Sequence, residues 1–418
     1  MRRRTARAAA GLGAVTSLVL LTGCGGAGGM APAGSASAAC TPADELILVV
    51  GVHQNVPAPN VPAELACDIE STIRAQHKVS VVTLEGQPRP VLSETFELRT
   101  ANDAAMEDDI KRAASAVVTA VREAAATSDG ADLTEALAVA SDLDASDGTR
   151  NARIAVIDSG LSDRGPLNMT APGMLGANPA EVAAYVSASG LLPDLAGQEI
   201  KLVGTGYSAL PQQPLNAAQR ANVDEILTAS LRAAGASVTV VPVPRTGEGP
   251  DTSYVTATVT LPEDQTYELG GTQALVFDDT SPVGFQPDST ELRDPEAARA
   301  TLTALADWLA ADPTRTALIT GTSASVGPPE GQVAISKERA EAVKTLLVEL
   351  GVNADQITTV GAGYTASPPD RLPDGTLDPA AAALNRSVRV TTSQAAAQPP
   401  PPEDPGPSGQ PDRRESRR

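Results

Sequence analysis

The chain has 418 residues, a formal net charge of −20 at pH 7 and only 2% aromatic residues. That length admits two domains, each with its own core. The acidic balance excludes nucleic acid as a partner, because binding phosphates requires a basic face, and so few aromatic rings leave an interior of Ala, Val and Leu.

The amino terminus is basic, with Arg2, Arg3, Arg4 and Arg7 ahead of an apolar run and small residues before Cys24. The run is too short for a comfortable transmembrane helix and reads as an export signal over residues 1–23. The stretch "LTGC", Leu21 to Cys24, resembles the lipobox of bacterial lipoproteins in every position. The resemblance implies cleavage before Cys24 and acylation of its thiol (palmitate is one such chain) and its new amino group. Residues 24–39 are a linker of small residues. With Cys24 as the anchor, Cys40 and Cys67 remain in an oxidising compartment, and a disulfide is the economical reading, with two free thiols as the alternative.

Residues 40–244 alternate short apolar runs with helical patterns. "ELILVVGV" from Glu45 is a strand buried on both faces. "KVSVVTL", "ARIAVID", "EIKLVGTG" and "SVTVVPV" follow as strands. Between them lie helical stretches beginning near Val61, Asn102, Ala131 and Asn216, the last capped by its Asn. The alternation predicts a doubly wound, parallel α/β sheet of Rossmann-like form. The opening strand, "GADLTEAL" (Gly130 to Leu137) and "AVIDSG" together resemble a von Willebrand factor A-like domain. That family holds a divalent metal through Asp-x-Ser-x-Ser after the first strand, then a Thr, then an Asp. Here the first position reads "GVHQN", Gly51 to Asn55, without the Asp or either Ser. Thr134 and Asp158 stand where the second and third ligands fall. A hard cation needs several oxygens, so the expected likeness is in fold alone, with no metal and no cofactor.

Residues 245–273 connect this region to the next, and "TSYVTATVTL" (Thr252 to Leu261) reads as a strand from its β-branched alternation. From 274 to 393 the texture changes. "VGFQPD" opens as a strand. A helix follows, capped by Asp294 with Pro295 in its first position and Leu302, Leu305, Ala306 and Leu309 on its buried face. A second helix buries Val343, Leu346, Leu347 and Leu350. "ISKERAEAV", "VGAGYTASPP" and "NRSVRV" fall in the order of an OmpA-like peptidoglycan-associated domain, which this segment closely resembles. The resemblance implies an α/β sandwich that grips the free amino-acid end of diaminopimelate in the peptide stem. An Arg faces the carboxylate and an Asp accepts from the ammonium. By motif position the Arg is Arg339. The Asp of the family's Gly-His-Thr-Asp turn has become Ala324, and its His has become Thr322. Ser323 or Ser325 is a weaker neutral acceptor, and Gln332 falls where the family often has Asn. Asn385 and Arg386, in the closing motif, serve either the ligand or the fold. Residues 394–418 are Pro-rich and polar and are expected to be disordered.

Two fragments resemble a subtilisin-type protease: "RIAVIDSGLSDRG" (Arg153 to Gly165) its aspartate strand, and "GTSASVG" (Gly321 to Gly327) its serine turn. That chemistry needs a His between the two in sequence, as general base. The only histidines, His53 and His77, both precede Asp158, and Gly327 stands where the family has Pro. The sequence therefore predicts a protein that is not an enzyme: a lipid-anchored, extracytoplasmic envelope protein whose partners are peptidoglycan, the membrane through its anchor, and an envelope protein met by the first domain. The alternative is an interaction platform whose OmpA-like domain has lost its ligand.

Overall fold

The computed structural model describes residues 40–99, 102–144, 151–261, 269 and 274–394. The lipidation site Cys24 and the Pro-rich tail from 395 lie outside these residues. Two sheets of mixed α/β architecture belong to one compact unit that begins at Cys40.

The first sheet has six strands in the order β3-β2-β1-β4-β5-β6. These are β1 (Glu45–Gly51), β2 (Lys78–Leu84), β3 (Pro90–Thr95), β4 (Arg153–Ile157), β5 (Glu199–Val203) and β6 (Ser237–Val241). All neighbours are parallel except β2 and β3. Every residue of β1 is buried, because helices cover both faces. Leu46, Leu48 and Val50 point to one side and pack on α1 (Ala66–Arg74) and α2 (Asp103–Glu123). Ile47 and Val49 point to the other, toward α3 (Leu133–Asp144), α4 (Pro179–Ser189) and α5 (Ala217–Ala233). A capping box fixes the start of α5, with Asn216 and Gln219 each accepting from the other's backbone N–H. Cys40 and Cys67 are joined in a disulfide, Cα–Cα 5.9 Å, that ties the approach to β1 onto α1.

The second sheet has the order β7-β10-β8-β9. Its strands are β7 (Leu275–Phe277), β8 (Arg315–Gly321), β9 (Ile357–Gly361) and β10 (Val388–Gln394). β10 is antiparallel to β7 and β8, whereas β8 and β9 are parallel. Helices α6 (Pro295–Ala310) and α7 (Pro329–Glu349) pack on one face with Leu302, Leu305, Leu309, Leu346 and Leu347 buried and Leu350, just past α7, only partly so, and Asp294 caps α6 through the Ala297 N–H. A short helix, α8 (Pro379–Asn385), sends Ala380 and Ala383 into the core of the first sheet.

Six features depart from the sequence expectation. The edge strand β3 and the helices α4 and α8 were not anticipated. The strand expected at "VGFQPD" lies earlier, at Leu275–Phe277, and Phe285 makes only an isolated bridge to Leu292. Gln394 is the last residue of β10, where the tail was expected to begin. Residues 252–261 pair with no strand. They run extended across the carboxyl ends of the first sheet, their backbone held by side chains: Asn55 Nδ2 donates to Ala257 O (2.9 Å), and Gln212 both accepts from Val259 N (2.6 Å) and donates to Val259 O (3.3 Å). Thr256 and Val259 are buried beneath this strap. No described helix is long and apolar enough to cross a membrane.

Candidate functional site

Of the residues singled out in the C-terminal region, Arg339, Ser323, Ser325 and Asn385 lie where β8, β9 and β10 meet α7, whereas Arg386 turns to the first sheet and Gln332 stays on the exposed first turn of α7. The approach is close because Gly321 has no side chain: a Cβ there would lie 1.8 Å from the Ser336 carbonyl oxygen. That contact seats the first turns of α7 on the strand ends and turns Ser336 and Arg339 inward. Arg339 is only 3% exposed. Its Nε donates to the Ser289 carbonyl (3.0 Å), and its guanidinium lies 5.2 Å from the centre of the Phe285 ring. Both terminal nitrogens are without a hydrogen bond to the described residues. Burial drives this guanidinium below its ordinary pKa, opposed by the charge of Asp279.

Asp279 is itself buried, and that burial pushes its carboxyl up to about 6 against the nearby charges of Arg293, Arg339 and Arg386. Arg293 links this cluster to the first sheet by donating to the Gly176 carbonyl (2.9 Å). Arg386 also faces the first sheet and pairs with Glu181 of α4 at 2.5 Å.

Two of the other expected residues, Ser325 and Asn385, meet at a residue not anticipated, Asp370. Ser325 N donates to Asp370 Oδ2 (2.9 Å), as does Asn385 Nδ2 (3.1 Å). Ser323 is buried, and its backbone N–H donates to the Gly363 carbonyl (3.0 Å). Ala324 is buried beside it. Gln332, on the first turn of α7, donates to the Gly327 carbonyl (2.9 Å). Asp370 belongs to none of the motifs, and only its place in a Pro- and Asp-rich loop marked it in the sequence.

A second constellation lies between β1 and β4, where the strand order reverses and open α/β sheets bind ligands. Asp158 is fully buried there, with Oδ2 2.8 Å from His53 Nε2 and Oδ1 accepting from Gly160 N (2.6 Å). The other ring nitrogen of His53 donates to the Gln54 carbonyl. Burial works to lower the His53 pKa, but the charge and hydrogen bond of Asp158 outweigh it and the pKa is raised. An imidazolium with both N–H groups engaged has no lone pair with which to act as a base. Ser323, the serine of the protease-like fragment, belongs to the loop after β8 in the other sheet. Thr134 is buried in the first turn of α3, with its hydroxyl lacking a partner among the described residues. Among the described residues no group of three or more His, Cys, Asp or Glu is placed to hold a metal ion.

Residues 284–371 match the family model described as the OmpA family. Among solved structures, the chain is similar to the peptidoglycan-associated lipoprotein of Burkholderia pseudomallei, at 30% identity over 29% of this chain and 89% of that one, TM-score 0.23. It is also similar to the periplasmic domain of Helicobacter pylori MotB (16%, covering 29% and 76%, TM-score 0.24). An outer membrane protein of Borrelia burgdorferi B31 is similar at 23%, covering 30% and 92%, TM-score 0.22. No curated protein matches the chain. Residues 284–371, which carry Arg339, the Ser323 loop and Asp370, form a domain of the OmpA family.

Proposed function

We propose that this chain is a non-enzymatic, lipid-anchored protein of the cell envelope. Its OmpA-family domain holds peptidoglycan non-covalently through the diaminopimelate of the stem peptide. The observation that carries this reading is Arg339: it stands at the family's motif position and is backed by Phe285, and its two terminal nitrogens lack a hydrogen bond to the described residues. A guanidinium in that state suits a carboxylate, which accepts two parallel N–H bonds. Acylation of Cys24 fixes the chain to the membrane. The doubly wound sheet serves as a von Willebrand factor A-like module for an envelope protein, and residues 40–244, 245–273 and 274–393 are its module, connector and wall-binding domain.

The test is sedimentation with purified sacculi. Wild type co-sediments, and Arg339→Ala binds about 10- to 100-fold more weakly, the equivalent of one lost charged hydrogen bond. The reading fails if wild type stays in the supernatant, or if Arg339→Ala sediments like wild type. Two observations favour a second reading, an interaction platform without wall binding: Ala324 offers no acid, and Glu181 already pairs with Arg386. On that reading wild type does not sediment.

A further inference from the structure

The loop after β8 has no acid of its own at position 324, yet a carboxylate lies against it. Asp370 is fully buried, and its Oδ2 takes the two donors from Ser325 and Asn385. Its Oδ1 is buried without any partner. Two further acceptors of the same knot, Ser323 Oγ and Asn385 Oδ1, are also buried without partners. Asp370 forms no ion pair with a described residue. Its neighbour Arg371 turns outward, donating to Ser325 Oγ (2.8 Å), the Ser325 carbonyl (2.8 Å) and the Gly375 carbonyl (3.2 Å). Burial works to raise the Asp370 pKa, but hydrogen bonding, from Ser325 first and then Asn385, prevails and holds the carboxyl below its ordinary value.

A buried charge without a partner is costly, and buried acceptors are ordinarily satisfied. The knot therefore lacks one positive charge and several N–H donors. Water supplies donors but no charge. A metal ion finds one carboxylate where it wants several oxygens. A primary ammonium brings three N–H donors and the charge together. The knot is also tied to Arg339: Ser323 N donates to the Gly363 carbonyl (3.0 Å), Gly363 N donates to Ser336 Oγ (3.0 Å), and Ser336 lies one helical turn before Arg339.

We propose that Asp370, with Ser323 and Asn385, receives the ammonium of the ligand whose carboxylate Arg339 holds, so that an acid from a different loop takes the role left empty at Ala324. This assignment rests on the peptidoglycan reading. The amino group enters as the exposed bridge from Arg371 to Ser325 opens.

The experiment uses the full exported chain and a stem peptide ending in diaminopimelate, with its terminal amine either free or acetylated. Wild type prefers the free amine by about tenfold or more, the usual weight of a charge-assisted hydrogen bond. Asp370→Asn, which keeps the size of the side chain, removes that preference and leaves residual binding through Arg339. Ser323→Ala deletes only an unpartnered hydroxyl, so it keeps the fold and weakens the preference, and it carries the test if Asp370→Asn does not fold. The assignment is overturned if wild type binds both peptides equally, or if Asp370→Asn and Ser323→Ala discriminate as wild type does. If wild type binds neither peptide, the peptidoglycan reading falls as well.

Discussion

Asp158 and Asp370 are both fully buried carboxylates at the ends of β-sheets, and they differ in what neutralises them. Asp158 has an internal cation, His53, at 2.8 Å, and the strap of residues 252–261 crosses the same end of the sheet. Asp370 has two hydrogen bonds, one unsatisfied oxygen and no ion pair with a described residue. The first crevice completes itself from within its own chain, whereas the second is left incomplete. Self-sufficiency marks a place that has become structure, and on the assignment proposed above the missing counter-charge at Asp370 comes from the ligand.

The contrast breaks most visibly if the internal cation is removed. His53→Ala leaves Asp158 as an uncompensated buried charge and costs about 3–5 kcal/mol in chemical denaturation. The pair also has a pH signature. The His53 pKa is raised above its ordinary 6.5, so its contribution is complete below that value and is lost as pH rises through the folded pKa. The Asp158 pKa is lowered from 3.8, because the charge and hydrogen bond of His53 outweigh its burial, so its contribution is complete above 3.8 and is lost as pH falls through the folded pKa. A His53→Ala variant whose denaturation midpoint matched wild type at pH 5 would remove the distinction.

Asp279 stands between these cases, surrounded by arginines but 4.0 Å from the nearest nitrogen that pairs with it, on Arg293. Its folded carboxyl titrates near 6 against an ordinary 3.8. The folded state keeps that proton after the unfolded chain has lost it, so stability falls by about 3 kcal/mol as pH rises from roughly 4 to 6 and is level above. Asp279→Asn abolishes that fall, and thermal melts across the range measure it. Smaller again is the effect of Gly51, whose missing side chain makes room for Asp158: a Cβ there would lie 2.2 Å from Asp158 Oδ2. Gly51→Ala costs about 2 kcal/mol by overpacking and displaces the His53 contact, seen as a changed His53 titration by NMR.

Much of the scaffold was written in local pattern. Continuous apolar runs marked β1 and β2, and helical spacing marked α6 and α7, because burial on a fixed face imposes a period on the residues. β3 escaped because it is a mostly exposed edge strand that begins with Pro, and it carries no apolar alternation. The strap had the alternation of a strand, yet side-chain amides hold its backbone and no neighbouring strand does. At the candidate site, Arg339, Ser323 and Asn385 were legible from motif order. Their surroundings were not, because those are made by distant parts of the chain: Glu181 reaches Arg386 across 205 positions, and His53 reaches Asp158 across 105. A pairing set by the order of strands in a sheet leaves no trace in sequence spacing.

The strap has a mechanical consequence. The stretch that seals the crevice above Asp158 is also the covalent path from the first sheet to the second. Arg245, at its root, donates to the backbone carbonyls of Pro57 and Ala58 (3.3 and 3.2 Å), so the connector is stitched down before it departs. A chain held by lipid at one end and by the wall at the other would carry load along this path. Tension along it would bear on the seats of Val259 and Thr256 together with the direct ties between the two sheets, α8 in the first core and Arg386 on Glu181, so that opening the crevice and parting the sheets become one mechanical event.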